Sequence, residues 1–214
     1  MKHSITPNDL LNNPDFELIE EVGYSNLKPF IMNEIGKKSL IIQLYGILQF
    51  LSILIFIGLL LFFIYGFFKE GIFIRELLIL SFSVIFSFTI MIPLHELIHA
   101  AAFLLLGKRD IGFGVQWKKY LFYAESNRQV LNRKEMIIVA LAPFLFILTA
   151  GLGCFFFSPS KVVSLSGLLI VLLHFLFCGG DFAIISFFNR NKPFEVYTFD
   201  DRKLKTSYYF KRTN

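Results

Sequence analysis

Polar and apolar positions divide this chain into long blocks rather than a fine alternation. Four stretches carry no Lys or Arg, at about residues 40–68, 77–107, 136–157 and 162–189. Each is apolar all round, and roughly 20 such residues in a helix cross the hydrocarbon of a bilayer. The pattern therefore predicts an all-α membrane protein with four transmembrane helices. Residues 1–38 form a polar leader in which Phe16, Leu18 and Ile19 predict a short amphipathic cytoplasmic helix. Across the 108–135 segment, Ile111, Phe113, Val115 and Trp117 alternate with small or polar residues, then a turn at Lys118–Lys119 leads into a second aromatic run. That period of two predicts a short β-hairpin, cytoplasmic or interfacial, between the second and third spans. Residues 190–214, with Arg202, Lys203, Lys205, Lys211 and Arg212, read as a basic tail, solvated or facing lipid. The expected organisation is a leader over 1–38, a transmembrane core over 39–189 and a tail over 190–214.

Composition strengthens the membrane reading. The chain of 214 residues is 55% hydrophobic and holds 28 phenylalanines, too apolar for an ordinary soluble domain. Its two cysteines, Cys154 and Cys178, lie inside apolar runs, which argues against a disulfide framework or a thiolate zinc cluster. The net charge of +5 does not call for nucleic acid, because the basic residues flank the apolar blocks. Of the 21 Lys and Arg, 18 fall in the leader, the 108–135 segment and the tail, and 3 in the other two connections. The positive-inside rule then predicts a multi-pass protein of the cell membrane with both termini cytoplasmic, its second and fourth spans running inward. The first span is longer than a signal-peptide core and no small-residue cleavage pattern closes it, so it is expected to remain.

Within the spans lie five ionisable groups, His95, Glu96, His99, His174 and Asp181. An acid at the centre of a membrane helix costs on the order of 2.5–3.5 kcal/mol, so such groups face protein, water or a metal. The spacing of His95 and His99 puts both imidazoles on one helical face, one turn apart, where they can reach one Zn2+. Glu96 sits about 100° around the helix, placed to act as a base on a water molecule and then to pass the proton to a leaving amine. A hydrolytic zinc site takes three protein ligands, and a carboxylate can be the third. Asp181 lies eight residues before Asn189 as His99 lies eight before Gly107, so on straight helices both sit roughly 12 Å from the cytoplasmic end. His174 would be roughly 10 Å farther from that end, suited to supporting the site, to lining a pore or to plain packing. Cys178 reads as a small buried residue. Gly179, Gly180 and Ala100 to Ala102 suit close helix packing, and Pro93 and Pro143 should free the carbonyls of Thr89 and Val139.

With His-Glu-x-x-His on one span and an aspartate two spans later, the chain resembles the zinc-dependent intramembrane peptidases of the site-two protease class. More closely, "LHELIHA", "GGDFAII" and "FEVYTFDD" resemble a family of small bacterial membrane proteins described as zincin peptidases, formerly a domain of unknown function. The resemblance covers about residues 80–200 and implies His95, His99 and Asp181 as zinc ligands and Glu96 as the catalytic base. The chain departs from many site-two proteases: its aspartate follows Cys-Gly-Gly rather than an Asn-Pro run, and "VALAPF" keeps only the proline of their third-span pattern, which leaves the oxyanion stabiliser unnamed. The implied substrate is a membrane-embedded or membrane-adjacent peptide cut near the cytoplasmic face, alongside the lipid bilayer as a partner. The hairpin would either hold that peptide along a strand edge or anchor the protein at the interface. Two rivals remain: a cation or metal transporter lined by His95, His99, His174 and Asp181, and a non-catalytic zinc-binding membrane regulator.

Overall fold

The computed structural model describes residues 5–37, 39–70 and 74–213. In chain order the helices are α1 (Pro7–Asn12), α2 (Leu27–Gly36), α3 (Leu40–Glu70), α4 (Ile74–Thr89), α5 (Met91–Leu105), α6 (Arg133–Phe157), α7 (Lys161–His174) and α8 (Gly179–Arg190). The strands are β1 (Phe16–Gly23), β2 (Ile111–Gln116), β3 (Leu121–Ser126), β4 (Leu131–Asn132), β5 (Val196–Asp201) and β6 (Thr206–Arg212). Among the described residues two helices, α3 and α6, are each long and apolar enough to cross a membrane, and the number rises to four if α4 with α5 and α7 with α8 are each one bent span. The bends are 48° and 50°. The first has a local cause: Pro93 falls in the opening turn of α5, where its missing N–H leaves no helical bond unmade. The second follows a turn over residues 175–178, after which Gly179 and Gly180 begin α8.

The chain forms two compact units. One comprises Gln43–His95 and Pro143–Gly179. In it Ile79, Leu80 and Leu169 make a core with Phe56, Leu59, Leu60 and Leu165 packed around it. The contact of α6 with α7 is close enough to exclude side chains: a Cβ on Gly167 would lie 2.8 Å from both the Cys154 Cβ and the Gly151 carbonyl oxygen. Along α3, Phe50, Phe62 and Phe68 stay exposed, a surface suited to hydrocarbon rather than water.

The other unit comprises Met1–Ile42, Glu96–Ala142 and Gly180–Asn214, and it corrects the all-α expectation. A four-stranded antiparallel sheet runs in the order β1-β6-β5-β4. The leader around Phe16, Leu18 and Ile19 is strand β1, not a helix, because the stretch finds a ladder partner in β6, Phe16 opposite Arg212 and Val22 opposite Ser207. The tail is likewise no solvated segment: aromatic and β-branched residues fill β5 and β6, and Val196, Phe199, Tyr209 and Phe210 are buried. Its basic residues are partly spent in ion pairs, Lys211 with Glu17 at 3.0 Å and Arg202 with Asp110 at 3.0 Å and with Glu125. Phe30, Phe187, Phe188, Val196 and Tyr209 form one core that binds α2 and α8 to the sheet. Glu34 of α2, buried, pairs with Arg190 at the end of α8 at 2.6 Å and with Lys37.

Between α5 and α6, β2 pairs with β3 in an antiparallel hairpin, turning through Trp117–Lys119 with Tyr120 in the left-handed region. Its apolar side chains point outward, with Phe113, Val115, Trp117 and Tyr120 all exposed. The inward positions are glycines because other groups fill the space: Tyr123 covers Gly114 and the Arg202 guanidinium covers Gly112. A polar network holds the hairpin base. Arg202 and Tyr24 both donate to Glu125, and Asn127 donates to Asp110 at 2.7 Å. Burial, with Asp200 and Glu125 close by, pushes the Tyr24 hydroxyl well above the usual tyrosine range, so it stays a donor.

Candidate metal centre

Helix α5 carries the His-Glu-x-x-His sequence, and His95, Glu96 and His99 on this one helix offer ligand atoms within 4.8 Å of one another. Both histidines are buried. His99 is fixed from both sides. Its Nδ1 lies 2.9 Å from the Val139 carbonyl oxygen, which can only accept, so Nδ1 carries the proton. That carbonyl is available for a reason legible in the sequence: Pro143, four residues on in α6, has no N–H with which to occupy it. The other ring nitrogen, Nε2, faces Asp181 Oδ1 at 3.2 Å. That approach accommodates either a proton, with an imidazolium donating to the carboxylate, or a metal ion shared by a neutral ring and the carboxylate. Tetrahedral zinc with bonds of about 2.0–2.2 Å would separate its nitrogen and oxygen donors by about 3.3 Å, so this pair fits a shared metal ion.

The break before α8 is what gives Asp181 its setting. Instead of lying mid-span, it occupies the first turn of a new twelve-residue helix, where the positive end of the helix dipole favours a carboxylate. The same break accounts for His174, the last residue of α7. Its Nε2 lies 3.0 Å from His95 Nδ1, and Cys178 Sγ lies 3.6 Å from His174 Nδ1. His95, His174 and Cys178 are each buried, with ligand atoms within 4.8 Å of one another.

The structure thus joins His99 with Asp181, sets His95 and Glu96 on the same helix as His99, and places His174 against His95. Two contacts escape sequence reasoning, the Val139 carbonyl on His99 and Cys178 on His174. The first had a signal in the proline four residues later; the second had the four-residue spacing of His174 and Cys178.

His99 and Asp181, buried and brought together from separate helices, are groups able to hold a metal ion. Residues 88–193, about half of the chain, match the sequence model of a family described as "Putative zincin peptidase", and the chain belongs to that family. No curated protein matches the chain, and neither does any solved structure.

Proposed function

We propose that this protein is a zinc-dependent membrane endopeptidase, with His95, His99 and Asp181 as metal ligands and Glu96 as the catalytic base. The observation that carries the reading is the His99 Nε2 to Asp181 Oδ1 approach at 3.2 Å, a buried imidazole and a buried carboxylate at about the separation that two ligands of one metal ion take. Zinc, when bound, would polarise the scissile carbonyl and acidify a water molecule. Glu96, less buried than its two histidine neighbours, takes the proton from that water and delivers it to the departing amine. His99 keeps its ligating nitrogen bare by donating from the other ring nitrogen to Val139. The substrate is a membrane-embedded or membrane-adjacent peptide segment, cut near the cytoplasmic face. The outward apolar side chains of the β2–β3 hairpin, Phe113, Val115 and Trp117, are available to lipid or to such a segment. Kinship with the site-two proteases is part of this proposal and rests on the His-Glu-x-x-His and distant aspartate pattern.

The test is metal content and cleavage measured together. The purified full chain should hold about one zinc, and Asp181→Ala should lose it. Glu96→Gln should keep the zinc while cleavage of membrane proteins in cells producing it falls by about 100-fold or more. Cleavage that persists in Glu96→Gln would rule out the mechanism, and zinc retained by Asp181→Ala would rule out the ligand set.

A further inference from the structure

The His95 ring is held on the side opposite its ligating nitrogen by a second imidazole rather than by a backbone carbonyl. If His95 binds metal through Nε2, as the peptidase reading on which this inference rests requires, its Nδ1 carries the proton and donates to His174 Nε2, 3.0 Å away. An accepting Nε2 means that the proton of His174 is on its own Nδ1. The Cys178 Sγ packs against this ring, 3.6 Å from Nδ1 and 3.8 Å from Nε2. One proton arrangement thus satisfies the contact between the two imidazoles.

We infer that His174, backed by Cys178, is a positioning residue that fixes the tautomer and ring orientation of His95 for the metal. Three further observations support it. His174 and Cys178 are almost wholly buried, at 1% and 0% exposure, so water does not compete for these contacts. The turn over residues 175–178 is what sets the thiol against the ring it backs, and Cys178 Sγ also donates to the His174 carbonyl at 3.4 Å. An aromatic edge contact of Phe88 with Phe177 and the Tyr45 hydroxyl on the Phe175 carbonyl at 2.8 Å brace the same turn. His95 and His99 are thereby held by different means, a side chain for one and the carbonyl freed by Pro143 for the other.

The test compares zinc affinity, by chelator competition, of the full-length protein in detergent with that of His174→Ala, His174→Gln and Cys178→Ala. Contacts that orient a metal-bound histidine are worth about 10–100-fold in affinity, and His174→Ala should lose that much. His174→Gln should recover most of the loss, because its amide oxygen can accept from His95 Nδ1. Cys178→Ala should lose less than His174→Ala. The cobalt-substituted protein should show no thiolate-to-metal charge-transfer band. Unchanged affinity in both His174 variants overturns the inference while leaving the zinc site standing. A thiolate band abolished by Cys178→Ala also overturns it, since His174 and Cys178 would then be ligands themselves. Zinc binding indifferent to His99→Ala and Asp181→Ala instead removes the peptidase reading, and this inference with it.

Discussion

His99 illustrates how a single ring can be specified by its two nitrogens. One donates to Val139, and the other faces Asp181. On the ligand set proposed above, His99→Ala removes a ligand rather than a support, and zinc affinity should fall by more than the roughly 10–100-fold that supporting contacts command. Equilibrium dialysis against a zinc buffer would show it, and a smaller loss would place His99 outside the ligand set. At this scale part was legible in the chain: cost in an apolar span marked five ionisable groups, and the four-residue spacing of His95 and His99 set those two on one helix. Hydrogen-bond partners were not legible, because Val139 is forty residues from His99 along the chain and His174 is seventy-nine from His95.

Among the elements, α6 and α8 owe their roles to breaks in regular helix. Pro143 lies inside α6, where a proline normally costs about 3 kcal/mol or more in a soluble helix, and what it supplies is the Val139 carbonyl. Pro143→Ala should therefore act in opposite directions: the thermal midpoint rises because the helical bond is restored, and zinc affinity drops by about tenfold because the new N–H competes with His99. A fall in both quantities would show that the kink itself is needed for folding. In the α6–α7 contact the constraint is volume. Gly167→Ala forces a methyl against the Gly151 carbonyl, which cannot retreat without moving the helix, and should cost roughly 1–3 kcal/mol in detergent unfolding. The apolar blocks forecast these helices well but not where they break. Leader and tail were misjudged for a different reason. The ladder of Phe16 to Gly23 forms on a strand nearly two hundred residues away, so their secondary structure depends on a partner that local pattern does not reveal.

For the molecule as a whole, pH and the bilayer are the variables that matter. Asp200 of β5 is surrounded by protein, which, with Glu125 nearby, pushes its carboxyl up to about 6 although the Ser207 hydroxyl donates to it at 2.5 Å. Its folded-state value thus exceeds that of an unfolded aspartate, about 3.9, so between about pH 4 and 6 the folded chain binds more protons. This group's contribution to stability is therefore full below about pH 4 and declines as pH rises through about 6. Asp200→Asn should remove that decline, seen as a difference between the two proteins' unfolding midpoints that widens from pH 4 to pH 7; a constant difference would disprove it. Orientation is a separate expectation, drawn from the placement of Lys and Arg. A cysteine introduced at exposed Lys203 should react with a membrane-impermeant thiol reagent in inverted vesicles and not in intact cells.

What the chain alone settled was local: which blocks are apolar enough for lipid, which five ionisable groups lie within them, and that two histidines one turn apart share a helical face. Such features follow from composition and helical period, which need no distant partner. The sheet made from both ends of the chain, the pairing of His99 with Asp181 and the seating of His174 against His95 required the folded structure. Each depends on where a helix breaks and on which remote segment supplies the missing hydrogen-bond partner, and neither is encoded in any single stretch.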